Sequence, residues 1–331
     1  MSLRRLKVAE AAAVRVFVAG ATGAIGKPLV PLLLASGHQV VGMTRSPQKA
    51  DQLRSLGATP VVADGLDRRA VVDAVVEAKP DAVIHQLTAL TGFRDMKHWD
   101  RDWEQTDLLR TRGTDHLLEG ARAAGARRFV AQSYAGWPYA REGGPVKTEA
   151  DPLDPSPAAG MGRTLDAIRY LEEQVLAADL EGLALRYGSL YGPGTSIATD
   201  GDIVEMVRGR RMPIVGGGTG IWSFVHIQDA AAATAAAVER GSPGVYNIVD
   251  DDPARVSVWL PELARAVGAK PPMRLPAWLA RAAVGPPGIS MMTRVRGASN
   301  AKAKSELGWE PRYPSWREGF RTGLGAATAE R

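Results

Sequence analysis

Short runs of β-branched and apolar residues alternate with amphipathic stretches through the first 190 positions. The run VRVFVA (residues 14–19) is bounded and apolar on successive positions, as expected of a strand covered on both faces. Further strands are predicted at 39–45 (QVVGMTR), 59–64 (TPVVAD), 81–87 (DAVIHQL), 128–133 (RFVAQS) and 183–188 (LALRYG). Apolar positions at helical spacing predict helices over 24–36, 67–79, 99–124 and 161–178. Pro28 falls in a first helical turn, where its missing N–H costs little, and Pro31 is expected to bend that helix. Strand and helix in strict alternation predict an α/β fold of Rossmann type: a doubly wound parallel sheet with helices on both faces.

Past residue 190 the pattern changes. GPGTS, PIVGGGTG and DDDP are turn-rich, and the helical stretches shorten. The expected organisation is an extension over 1–13, a dinucleotide-binding domain over 14–190, and a mixed region over 191–331. In that last region SFVHIQD (223–229) and GVYNIVD (244–250) return to the sheet, while the remainder forms a smaller substrate lobe over the carboxyl ends of the strands.

Composition narrows this picture. With no cysteine the chain has no disulfide, thiolate metal site or thiol nucleophile. Its five histidines lack metal-ligand spacing, so no metal is expected. No run of about 18 uncharged apolar residues spans a membrane, and a cytoplasmic protein is expected. The net charge of +5 suits anionic ligands. The arginine clusters come without aromatic interleaving, which argues against nucleic acid. The expected partner is a small-molecule substrate, with the chain a monomer or homodimer.

The first strand runs into GATGAIG, placing Gly20, Gly23 and Gly26 at three-residue spacing before a helix. Such a loop turns tightly and lets a pyrophosphate approach the backbone and the helix N-terminus. The expected cofactor contacts are Gly20, Thr22, Gly23, Ala24, Ile25 and Gly26. At the end of the second strand, where an NAD-selective site places a carboxylate, stand Thr44, Arg45 and Ser46. Arg45 suits a 2′-phosphate, so NADP(H) is preferred to NAD(H). Asp64 and Gly65, after the third strand, are placed beside the adenine, and Asp67 is the better helix cap.

With these motifs the chain resembles the extended short-chain dehydrogenase/reductase family, also called the NAD-dependent epimerase/dehydratase family. GATGAIG is similar to its phosphate loop and LRYGSLYGPG (185–194) to its substrate-side motif. FVHIQDAA, VYNI and AKAKSELGWEP are similar to its carboxyl-terminal signatures. The resemblance implies that Gln86, Leu87 and Thr88 border the nicotinamide ribose. Tyr187 is added as a further cofactor contact. It also implies a Tyr and a Lys in YxxxK, a hydroxyl after the fifth strand and often a helical Asn. Here Met161 and Leu165 stand at the Tyr and Lys positions, and the Asn falls near Arg110. A Met and a Leu cannot transfer protons.

The candidate catalytic residues are therefore Tyr134, as proton donor, and Ser133, as the group polarising the same oxygen. A Tyr without a neighbouring Lys is a better acid than base, which favours reduction. His85 and His226 are read as structural, Asp229 as a helix cap, and Tyr139 and Lys147 as loop residues facing solvent. Trp137, Trp222 and Trp278 are candidates for an apolar pocket wall. The leading reading is an NADP(H)-dependent reductase of a small carbonyl or conjugated compound with an atypical acid. The alternatives are a nucleotide-sugar epimerase or dehydratase, and a non-catalytic NADP(H)-binding sensor or scaffold.

Overall fold

The computed structural model describes residues 13–90 and 96–325. Most of the expected N-terminal extension, residues 1–12, lies outside them. Seven parallel strands form the central sheet: β1 (Arg15–Ala19), β2 (Gln39–Thr44), β3 (Thr59–Val62), β4 (Ala82–His85), β5 (Arg128–Tyr134), β6 (Glu181–Tyr187) and β7 (Gly244–Ile248). Their spatial order is β7-β6-β5-β4-β1-β2-β3. The order reverses between β1 and β4, so the loops leaving those two strands diverge and open the crevice where such sheets hold ligands.

The first helices are α1 (Gly26–Ala35), α2 (Pro47–Leu56), α3 (Arg68–Ala78), α4 (Trp99–Leu108), α5 (Thr114–Ala123) and α6 (Gly162–Ala177). The later ones are α7 (Asp202–Arg208), α8 (Ile227–Glu239), α9 (Val256–Ala266), α10 (Ala277–Thr293), α11 (Ala301–Leu307) and α12 (Trp316–Thr322). One face of the sheet packs Val16, Val18 and Leu185 against α8 and against Leu29 and Leu33 of α1. The other packs Phe17 and Phe129 against Val75 of α3 and Leu118 of α5. A third cluster joins α6 to α9 and α12 through Leu165, Trp259, Phe224 and Trp316.

Two sequence expectations are corrected. The helix over 99–124 is two helices joined by a wider π turn at Leu109–Gly113. There the Thr111 hydroxyl donates to the Asp107 carbonyl (3.0 Å) and the Thr114 hydroxyl to the Arg110 carbonyl (2.6 Å). These back-bonds compete with the regular helical ladder. Of the two segments expected to return to the sheet, only 244–248 does. Phe224–His226 instead pairs with Ser189–Tyr191 in a separate two-stranded ribbon. Pro31 is accommodated within one continuous α1. In α10 the break is at Gly285, whose extended ψ and positive φ precede Pro286 and Pro287.

Candidate active site

The glycine loop leaves β1 and lies across the end of β2, where the Met43 carbonyl accepts the Gly20 and Ala21 amides (3.2 and 3.1 Å). Gly20 has φ +91°, and a Cβ there would sit 2.7 Å from the Gln86 carbonyl oxygen. A Cβ on Gly26 would sit 2.3 Å from the Gly20 carbonyl oxygen. Both positions therefore exclude any side chain. The N-terminus of α1 that follows has no side-chain cap and no acidic residue in its first turn. By contrast, Ser46 caps α2 and Asp67 caps α3. The α1 amides are left for an anion. This cradle fits a dinucleotide pyrophosphate.

Around the loop, the Thr22 and Thr44 hydroxyls bond to each other (2.9 Å). Gly23 and Ala24 are exposed at the turn, and Ile25 is buried beneath it. Arg45 is exposed at the end of β2, one residue past Thr44. Asp64 is exposed and accepts the Leu66 amide (2.9 Å), closing a local turn. Leu87 covers Gly65, where a Cβ would sit 2.6 Å from Leu87 Cδ1. Thr88 is half-buried. Gln86 turns its side chain into the core and donates to the Tyr187 hydroxyl (2.9 Å). Tyr187 is wholly buried and also bonds Thr234 (2.7 Å). Its side chain therefore does not reach the crevice, contrary to the expectation of a direct cofactor contact. Gln86 meets the glycine loop through its backbone.

The substrate side departs further from expectation. Ser133 and Tyr134 are neighbours on β5, and strand alternation turns them to opposite faces. Ser133 is buried and donates to Glu172 (2.6 Å). Glu172 also receives a two-pronged bond from Arg186 (2.7 and 2.6 Å). The same guanidinium donates to the Tyr139 hydroxyl (3.0 Å), which donates to Asn247 (2.5 Å). Ser133 is thus a member of a buried latch and does not polarise a substrate beside Tyr134. Tyr139 and Lys147, expected at the surface, are buried. Lys147 neutralises part of its charge against Asp151 (3.1 Å).

Tyr134 alone of the pair packs against the aromatic cluster of Trp99 and Trp137. Its hydroxyl lies 3.2 Å from that of Ser189. Burial pushes its pKa up, opposed by the Ser189 hydrogen bond and the Arg110 charge, so it stays protonated at neutral pH. Beside it stand Trp137, with ring centres 6.4 Å apart, and Trp99, 5.5 Å from Trp137. Met161 immediately precedes α6 and is 1% exposed, and Leu165, in its first turn, is fully buried. Both pack in the same apolar cluster as Trp99 and Trp137.

Of the other tryptophans, Trp222 is core, donating to the Met291 carbonyl (2.8 Å), and Trp278 is 77% exposed. His85, at the end of β4, accepts the Leu87 amide (3.2 Å) and meets the Leu109 carbonyl (3.2 Å). Burial holds its pKa at about 4, against the ordinary 6.5, so the ring is neutral. His226, read as structural, itself caps α8 by accepting the Gln228 amide (3.2 Å). Asp229, expected in that role, instead accepts the Arg312 and Tyr313 amides (2.9 and 3.0 Å), which anchors the C-terminal segment.

A groove of about 340 Å³ opens nearby, lined by Ser156, Ala158, Pro286 and the guanidinium-bearing Arg141, Arg281 and Arg294. It reaches the aromatic cluster through Ala158, whose carbonyl accepts the Met161 amide (2.9 Å). Sequence reasoning missed these arginines, because segments far apart in the chain bring them together. It noted Arg110 only as the stand-in for a missing Asn.

Comparisons with known proteins agree with this geometry. Residues 16–249 match the family model described as NAD dependent epimerase/dehydratase family. The chain is 48% identical over 307 residues to the 3-diazoavenalumate denitrifying reductase of a Streptomyces species, covering 92% of this chain and 99% of that protein. It is 28% identical over 273 residues to a 4-hydroxy-2-methyl-3-oxo-4-farnesyl-3,4-dihydroquinoline-1-oxide ketoreductase of Stigmatella aurantiaca, covering 81% and 78%. Among solved structures, MoeE5 in complex with UDP-glucose and NAD superposes with TM-score 0.70 at 28% identity, covering 94% of this chain and 97% of that one.

Proposed function

This chain belongs to the NAD dependent epimerase/dehydratase family and is an oxidoreductase with a nicotinamide cofactor, and from that premise we propose that it is an NADP(H)-dependent reductase that replaces the diazo group of an aromatic substrate with hydrogen. The observation that carries this reading is the pairing of an intact pyrophosphate cradle with apolar Met161 and Leu165 at the head of α6. Carbonyl reduction needs a proton for the new hydroxyl, and epimerisation needs a base. Displacement of dinitrogen needs neither. When bound, the reduced nicotinamide supplies the hydride. At the ring carbon a C–H bond forms, the C–N bond breaks, and dinitrogen leaves with that bond's electron pair. The two electrons would come from that hydride, and no proton is taken up.

In this reading the protein's work is positioning and exclusion of water. The α1 amides hold the pyrophosphate and Arg45 takes the 2′-phosphate. Tyr134, Trp137 and Trp99 form an aromatic cluster for the ring, with Trp99 edge-on to Trp137 at 78°. The 48% identity to a reductase whose name specifies a diazo compound supports the substrate class. A second reading, reduction of a carbonyl with Tyr134 as acid, is favoured by the protonated state of that phenol and its bond to Ser189.

One experiment separates the two. The protein is given NADPH carrying deuterium at C4, with 3-diazoavenalumate or a simple aryl diazonium salt, and in parallel with a carbonyl panel. Diazo reduction is expected to place deuterium on the ring carbon that carried nitrogen, with Tyr134→Phe retaining most of the activity. Carbonyl turnover that collapses in Tyr134→Phe, with no diazo reduction, would replace the first reading by the second. Equal use of NADH and NADPH would remove the role given to Arg45.

A further inference from the structure

Arg110 sits in the π turn between α4 and α5 and is 4% exposed. A guanidinium has five N–H donors. Among the described residues the Arg110 side chain makes one hydrogen bond, a long one of 3.4 Å to Asp107 Oδ1. Asp107 is held back from a closer approach, because its other oxygen accepts the Thr164 hydroxyl (2.9 Å), which in turn accepts Trp99 Nε1 (3.0 Å). The other nearby carboxylate, Glu172, is committed to Arg186 and Ser133. A buried cation so lightly paired is costly unless something else completes its coordination. Cation and aromatic wall are contiguous. The Arg110 Cζ lies 5.6 Å from the Trp103 ring centre, and Trp103 stacks on Trp99 at 4.7 Å with planes 9° apart. Trp103 Nε1 is buried with no partner among the described residues, a second donor left over at the same place.

We propose that Arg110 is the receptor for an oxyanion carried by the aromatic substrate, with the ring lying against Trp99 and Trp103. This deepens the reading of the site as an aromatic reductase and rests on it for the identity of the ring. The shared chemistry is a planar ring bearing either a carboxylate or a phenolate. The π turn is the device that delivers the charge: an extra residue in the turn carries Arg110 into the interior, as π turns often do at functional sites. An arginine suits the task because it stays charged when buried and grips an oxyanion with two parallel bonds.

The test is equilibrium binding and needs no turnover. The NADP⁺ complex is titrated with 4-hydroxycinnamate, with its methyl ester (carboxylate removed) and with 4-methoxycinnamate (phenol removed), following quenching of tryptophan fluorescence. Wild type is expected to bind 4-hydroxycinnamate, and Arg110→Gln to weaken it by about 10- to 100-fold, the range of a charged hydrogen bond. Arg110→Lys should recover part of the loss, with NADP⁺ affinity and thermal midpoint unchanged. Whichever analogue keeps the Arg110 dependence identifies the oxyanion as carboxylate or phenolate. Asp107→Asn provides a second reading should Arg110→Gln fold poorly, and is expected to tighten anion binding by removing the competing carboxylate.

Wild-type affinity in Arg110→Gln would overturn the proposal. So would a loss appearing equally in NADP⁺ affinity, a weakening in Asp107→Asn, or a dependence found instead in Arg281→Gln at the groove. If anion binding follows Arg110 while no diazo compound is reduced, the receptor stands and the diazo reading falls.

Discussion

At the glycine loop after β1 the polar contacts are made mostly by backbone groups, whereas at the end of β5 they are made by side chains. The Gly23 amide bonds the Gly20 carbonyl three positions back, and the cradle is completed by uncapped amides of the adjoining helix. On the other side of the crevice Ser133 reaches Glu172, 39 positions away, and Tyr139 reaches Asn247, 108 away. The glycine loop is held by backbone, the far side of the crevice by side chains gathered from α6, β6, β7 and the loop after β5. A backbone cradle tolerates almost any sequence around its glycines. A side-chain latch instead needs each partner in place, and Met161 and Leu165 pack in the apolar cluster beside it.

The comparison can be broken at the latch with the largest effect. Glu172→Ala strands Arg186, which is 5% exposed, without its carboxylate. A loss of about 3–5 kcal/mol in chemical denaturation is expected, with NADP⁺ affinity little changed. If cofactor affinity fell in step with stability, the two sides would not be independent.

His85 lies at the seam. In the fold its ring stays neutral down to a pKa of about 4, while the unfolded chain takes up a proton near 6.5. Stability is therefore full at neutral pH and declines as pH falls from 6.5 towards 4, by about 3 kcal/mol in total. Urea midpoints at pH 7 and 4.5 should show this slope in the wild type and a flatter one in His85→Gln. An equal slope in both would assign the acid sensitivity elsewhere.

The smallest change sharpens the cofactor side alone. Arg45→Glu is expected to cost about 1.5–3 kcal/mol of NADPH binding, a 10- to 100-fold loss, while sparing NADH. Isothermal titration with both nucleotides checks it, and a parallel loss for NADH would show that Arg45 does not read the 2′-phosphate.

These differences follow how far each feature was legible. The six early strands and the glycine loop appear close to where the hydrophobic pattern puts them, because strand periodicity and turn chemistry act over short range. The 99–124 helix was misread because threonine back-bonds, invisible to periodicity, open a π turn. Tyr139 and Lys147 look like surface loop residues, and no local signal says that Arg186, Asn247 and Asp151 await them.

From the sequence alone came the parallel sheet, the glycine loop at Gly20–Gly26 and the apolar character of Met161 and Leu165. Each depends on residue type within one strand, turn or helix. Only the tertiary structure separated Ser133 from Tyr134, committed Glu172 to Arg186, and set Arg110 beside stacked tryptophans with, among the described residues, a single long bond to Asp107. Such pairings depend on distances between segments that the chain order leaves open, and a buried charge shows its lack of partners only after every neighbour has been placed.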